Sequence, residues 1–328
     1  MDGLSKTLRE MNRARMVRFA VLVAIAAAAL ATPGASAATL QCGDTITQNT
    51  VVDNDIVCSD PAAIGLIIAA DNITLHFQHH SLTGSGATGA GSIGITDDGV
   101  EHTGVTIRGG TVSGFDYGVY LAASQSFMLG MSFTGTDTGA YVAGDANDIR
   151  LNRSDSPGTI AFDIEGNDLS LWGNRVTGGP DDGIAVIGDN PYVIHNKVDG
   201  CTFDGISVSG YSIYAKLALN TVANCDTGIA LSGSSTVPAH VQTSDVSGNC
   251  DGIYVEDPTA LVWRNNAHDN CRDGIAIAIA GAKVAENTAT NNGEIGIDAV
   301  TGTIDGGGNV ASGNLVGDCF VVVCAPAP

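Results

Sequence analysis

The sequence predicts an all-β solenoid, a right-handed parallel β-helix of about eleven coils of ~22 residues with three strands per coil. A short phrase, Gly–aliphatic–x–aliphatic, recurs at a near-constant step. Two further residue columns, one aliphatic and one of asparagine, keep the same step. The composition agrees, with 44% apolar residues, only 5% aromatic ones and 43 glycines. Such a chain fills a small-residue core under many turns.

The phrase begins at Gly65, Gly94, Gly118, Gly139, Gly183, Gly205, Gly228, Gly252, Gly274 and Gly296, with Ala161 in the glycine place once. The steps are 29, 24, 21, 22, 22, 22, 23, 24, 22 and 22 residues. After each glycine the first and third residues are apolar, as in Ile184/Val186, Ile206/Val208 and Ile253/Val255. The residue between is small or polar, so the pattern has the period of a half-buried strand.

The second strand of each coil is marked by Ile149, Leu171, Val193, Leu217, Val241, Val262 and Val284. Three residues on come Asn152, Asn174, Asn196, Asn220, Ser244, Asn265 and Asn287, with Asn309 one coil later. A third apolar column, Val176, Val198, Val222 and Val246 among its members, follows two residues after that. The asparagines therefore sit at a bend. They are expected to tolerate a left-handed backbone there and to bond the identical amide one coil above and below. Leucine-rich frames, helical spacing and six-residue sub-repeats are absent from the sequence.

Before the repeats, residues 1–37 read as a signal peptide. Arg13, Arg15 and Arg18 precede an apolar run at 19–31, and the small-residue pattern at 35–37 predicts cleavage before Ala38. The run is short of the roughly 20 residues that span a bilayer. Residues 38–64 are expected to form an N-terminal cap, 65–314 the β-helix, and 315–328 a C-terminal cap and tail. The expected product is secreted and extracellular, with no membrane insertion after cleavage.

The chain has 14 Lys+Arg and 35 Asp+Glu, a net charge of −21. Residues 1–37 hold five and two of these, so the remainder carries 9 against 33, a net −24. That field repels nucleic acid, anionic membranes and bare polyuronides. All eight cysteines lie in the remainder, an even number suited to an oxidising compartment. Proximity pairs Cys42 with Cys58 and Cys319 with Cys324. Cys201 and Cys225 share a column in adjacent coils, as do Cys250 and Cys271, and each pair is either bridged or stacked as thiols.

Here the chain resembles the pectin-lyase-like superfamily, in particular its small secreted β-helix-repeat members, over roughly residues 40–324. The likeness rests on Cys42-Gly43-Asp44-Thr45-Ile46 with Val57-Cys58, on Asp71-Asn72-Ile73-Thr74-Leu75, and on Gly313-Asn314 with Cys319 and Cys324. The resemblance implies a ligand groove along the outward face of the strand that follows the repeat glycine. In register, that face gathers Tyr120 and Tyr141 beside Asp163 and Glu165, next to Asp181 and Asp182. Aromatic faces flanking carboxylates suit a sugar ring. Two outward carboxylates at i and i+2 stand about 7 Å apart, a separation that inverting glycosidases use.

Asp182 and Asp204, directly before repeat glycines, are candidate Ca²⁺ ligands, the only cofactor the sequence points to. Asp-Gly is also ordinary turn chemistry. The double-Asp segment Pro180-Asp181-Asp182-Gly183 is similar to one box of the polygalacturonases, but their Asn-Thr-Asp, Gly-His-Gly and Arg-Ile-Lys boxes are absent from the sequence. Basic residues collect elsewhere, as Arg153, Arg175 and Lys197 after the asparagine column. The leading expectation is a monomer that contacts extracellular polysaccharide along the first-strand face. A non-catalytic structural or adhesive rod and a glycoside hydrolase using Asp163 and Glu165 are the alternatives.

Overall fold

The computed structural model describes residues 35–86, 88–210, 214–234 and 237–326. All but the last three residues of the expected signal segment lie outside them. From Ala37 onward the chain forms one compact unit. It winds through three parallel sheets, one of 14 strands and two of 13. No helix occurs among the described residues.

One coil shows the plan. Asp182–Ile187 lies in the first sheet, Tyr192–Ile194 in the second and Lys197–Asp199 in the third, before Asp204–Gly210 re-enters the first. Adjacent coils pair in the register of the repeat, Ile184 with Ile206, Val193 with Leu217 and Val198 with Val222. Strands Asp44–Ile46, Thr50–Val52 and Ile56–Val57, within the segment expected to cap the N-terminus, already pair with the next coil.

The core is the column of inward residues. Ile184, Val186, Val193 and Val198 are all fully buried, and each is worth about 1.5–3 kcal/mol against exposure. No coil buries them alone; the neighbours complete each contact. Repeat glycines exist for clearance. A β-carbon on Gly183 would collide with the carbonyl oxygen of Gly205 in the next coil and crowd Val198. The same collision recurs from Gly65 to Gly94 and from Gly252 to Gly274.

The asparagine ladder is present and buried. The backbone N–H of Asn174 donates to Asn196 Oδ1 at 2.9 Å, and Asn174 Nδ2 donates to the same oxygen at 3.0 Å and to the Ile149 carbonyl at 2.8 Å. Equivalent bonds join Asn152 to Asn174, Asn196 to Asn220, Asn265 to Asn287 and Asn287 to Asn309. The expected reason for asparagine needs correction, because the left-handed residue is its predecessor. Leu151, His195, Leu219, Thr243, Arg264 and Glu286 have φ between 53° and 58°, and no ladder asparagine has a positive φ. Asparagine is therefore selected for its amide and not for its backbone.

A second ladder lies on the bend between the third and first sheets. Cys225 N–H donates to Asn249 Oδ1, Asn249 to Asn270, Asn270 to Asn292 and Asn292 to Asn314, at 2.9–3.1 Å. All four cysteine pairs are bridged: Cys42–Cys58, Cys201–Cys225, Cys250–Cys271 and Cys319–Cys324. The two central bridges tie adjacent coils beside this second ladder.

Candidate functional site

The first sheet places the candidate residues by register. Tyr120 pairs with Tyr141 and Tyr141 with Asp163, while Ala143 pairs with Glu165 one step along. Tyr120 and Tyr141 stack with ring centroids 4.8 Å apart and planes 21° apart. Identical side chains at one strand spacing have little other choice. The Tyr141 hydroxyl donates to Glu165 Oε2 at 3.1 Å, which fixes both the ring and the carboxylate.

A third ring completes the platform. Tyr117 meets Tyr120 edge-on, with centroids 5.3 Å apart and planes 83° apart. Sequence reasoning missed it, although its position before Gly118 is the place that Asp182 holds before Gly183. The register confirms that Tyr117, Thr138, Ile160 and Asp182 form one column.

Burial raises the Asp163 carboxyl to about 6, helped by the negative charges of Glu165 and Asp182. Burial also raises the Tyr141 hydroxyl to about 12, together with the charge and hydrogen bond of Glu165. The result is asymmetric. Glu165 accepts a hydrogen bond from tyrosine, whereas Asp163 retains its proton far more readily than an ordinary aspartate.

Asp182 lies close enough to raise Asp163, and its Oδ1 accepts the backbone N–H of Asp204 at 2.9 Å. Asp204 is itself raised, first by burial and then by Asp182 and Asp226 against a hydrogen bond with Thr227. Asp273 similarly accepts the N–H of Ile295 at 2.9 Å. Asp182 and Asp273, each before a repeat glycine, thus bond the main chain of the next coil. Among the described residues no group of three or more His, Cys, Asp or Glu side chains converges to hold a metal ion. Asp181 is half-buried, and its carbonyl accepts the N–H of Phe203 at 2.8 Å.

A second tyrosine–carboxylate pair lies further along the same sheet. Tyr254 donates to Glu256 at 2.6 Å, and that bond leads the causes that raise its hydroxyl to about 12. Its register neighbours are Ala230 and Ala276, so no aromatic platform forms there. The basic column Arg153, Arg175 and Lys197 is in register on the third sheet, with Arg153 ion-paired to Asp155.

Comparison with solved structures shows the same fold. A mutant of the periplasmic alginate epimerase AlgG superposes with a TM-score of 0.62 at 12% identity, over 90% of this chain and 79% of the other. The Dettilon tailspike protein gives 0.50 at 17% identity, over 88% of this chain and 59% of the other. Comparison with curated proteins gave no match. Residues 91–237 and 161–316 match the family described as right-handed beta helix region. That match covers more than half of the sequence, and the chain belongs to the right-handed β-helix family.

Proposed function

We propose that the protein is secreted and contacts extracellular polysaccharide along the outward face of the first sheet, at Tyr117, Tyr120, Tyr141, Asp163 and Glu165. The observation that carries this reading is the stacked Tyr120–Tyr141 pair locked to Glu165. The outward edges and hydroxyl tips of the stacked tyrosines offer a sugar an apolar ridge with polar ends, and the adjacent carboxylates accept hydrogen bonds from its hydroxyls. No Lys or Arg stands in this group, and the chain carries a net −21, so a neutral or cationic glycan fits better than a bare polyuronide. Four disulfides favour an oxidising compartment. The fold neighbours include an alginate epimerase, which supports a carbohydrate role at the level of the scaffold.

A second reading has its own observation. Asp163, raised to about 6, is a candidate general acid, and Glu165 two residues on is a candidate base. In a hydrolase the first protonates the leaving oxygen while the second activates water. A glycan array on the purified protein, followed by a reducing-sugar assay on each hit, tests both. Binding without sugar release supports contact alone. Release that Asp163→Asn abolishes supports hydrolysis. An array with no hits favours a structural or adhesive rod.

A further inference from the structure

We propose that the outward face of the second sheet, centred on Trp172 and Tyr192, is a docking surface for a linear glycan bearing carboxylates, separate from the first-sheet site. Charge divides the two sheets. Strands of the first sheet hold no Lys or Arg and include Asp163, Glu165, Asp182, Asp204, Asp251 and Glu256. Strands of the second sheet hold Arg150, Lys216, Lys283 and the buried Arg108 against two carboxylates, Asp148 and Asp305. Asp148 pairs with Arg150, and Asp305 accepts the N–H groups of Gly307 and Val323.

Register gathers the exposed part of this charge around two rings. Arg150 pairs with Trp172, and Tyr192 with Lys216 one coil on. Past the asparagine bend, Arg153, Arg175 and Lys197 follow one another in successive coils. Trp172 is 41% exposed and Tyr192 42%, with Leu151 and Leu219 uncovered at the bend beside them. The chain's other tryptophan, Trp263, is covered by the Arg264 guanidinium, 4.2 Å from its ring centre. Trp172 is left open by comparison: among the described residues it meets one ring, that of His195, at 73° with centroids 5.9 Å apart.

Shape and charge select the occupant. Most second-sheet strands are short, so each coil offers two outward side chains about 7 Å apart. Such a strip is narrow across and long down the axis, which suits an extended polymer and not a globular face. Cations recur at the coil spacing of about 4.8 Å, so carboxylates on successive sugars meet successive coils. The nearby acids are already bonded: Asp155 to Arg153 and Thr177, with the charge of Arg175 also acting on it, and Asp199 to Asn224 Nδ2. Arg175, Lys197 and Lys216 form no salt bridge among the described residues. Guanidinium groups hold carboxylates through two parallel hydrogen bonds, and an open indole packs on the apolar side of a sugar ring. The net −21 opposes a polyanion at long range, so the contact rests on these local cations.

Biolayer interferometry on immobilised carboxymethyl-dextran tests this, with unmodified dextran and poly-L-glutamate as comparisons, at about 0.1 M salt so that distant charges are screened. The expected result is binding to carboxymethyl-dextran. Trp172→Ala should weaken it about tenfold, as loss of an aromatic anchor does. Arg175→Glu combined with Lys216→Glu should weaken it about tenfold or more, as reversal of contact charges does. Tyr254→Ala on the first sheet should leave it within about twofold of wild type. Any binding of unmodified dextran, which the first sheet could supply, should ignore the second-sheet variants. Circular dichroism should show every variant folded, and if Trp172→Ala unfolds, the charge-reversal pair carries the comparison. No binding to carboxymethyl-dextran, or unchanged affinity in either folded second-sheet variant, overturns the proposal. Dextran binding as tight and as sensitive to Trp172→Ala overturns it too. Poly-L-glutamate that binds as tightly makes the occupant an acidic polypeptide and overturns the glycan assignment.

Discussion

Asp163 is the residue whose ionisation most directly reports on the site. Its carboxyl is raised from 3.8 to about 6, first by burial and then by Glu165 and Asp182. A raised acid favours the folded state when protonated, so its ionised form costs stability above pH 6. That cost is recovered as pH falls from about 6 towards 3.8. Asp204, Asp251 and Asp273 are raised in the same sense, burial first. Asp116 has the opposite sign. Burial pushes it up, but N–H donors from Gly89, Ser92 and Gly91 outweigh that and hold it below its usual value. Its contribution is present above pH 3.8 and lost as pH falls through its lowered folded value. The melting temperature should therefore rise from pH 7 to about pH 5 and fall again below about pH 3.5. Asp163→Asn should flatten the first limb. A melting temperature that falls steadily from pH 7 would contradict the burial of these carboxyls.

The elements of this chain are strands too short to persist alone, held by ladders at their bends. Asn220 is buried and accepts from Asn196 N–H at 2.9 Å and Asn196 Nδ2 at 3.2 Å, while its own Nδ2 donates to Val193 O at 2.8 Å. Asn220→Leu should cost about 1–3 kcal/mol, because it leaves the Asn196 N–H and the Val193 carbonyl, both in the preceding coil, without their partner. An unchanged denaturation midpoint would show that the ladder carries no load. The first ladder was legible because its asparagines keep one offset from the aliphatic column. The second was hidden, because Cys225 begins it and Asn249 stands three residues before its repeat glycine while Asn270 stands four. The backbone role was misassigned for a related reason. Left-handed positions are filled by Leu151, His195, Thr243, Arg264 and Glu286, residues with no common chemistry to betray the conformation.

For the whole molecule, stability is a sum over coils and the contacts between them. Bridges between adjacent coils are therefore strong local ties. Cys201–Cys225 closes a loop with a sequence separation of 24 and Cys250–Cys271 one of 21. Replacing either pair by serine should lower stability by about 2–4 kcal/mol, read as a shift in the urea midpoint with circular dichroism still dominated by β-structure. An unchanged midpoint would mean that the coils hold without these ties. The solenoid, its register and the outward residues were readable from period alone, since period-two alternation fixes which side chains share a face. Tyr117 was not, because one aromatic in a column otherwise filled by Thr, Ile and Asp breaks no pattern. The ionisation of Asp163 also lay beyond the sequence, since it depends on how deeply three neighbouring carboxylates sit.

The central claim is that one bounded patch of the first sheet holds the ligand, and two tyrosines on the same sheet separate it from its rivals. Tyr141 stacks on Tyr120 and bonds Glu165, whereas Tyr254 bonds Glu256 between two alanines. The direct measurement is isothermal titration of the glycan that binds best on the array against wild type, Tyr141→Ala and Tyr254→Ala. Loss of Tyr141 should weaken binding about tenfold, in line with removal of an aromatic anchor, and loss of Tyr254 should leave affinity within about twofold of wild type, as for a side chain outside the anchor. Equal affinities for all three proteins, or a larger loss from Tyr254→Ala, would contradict the placement of the site.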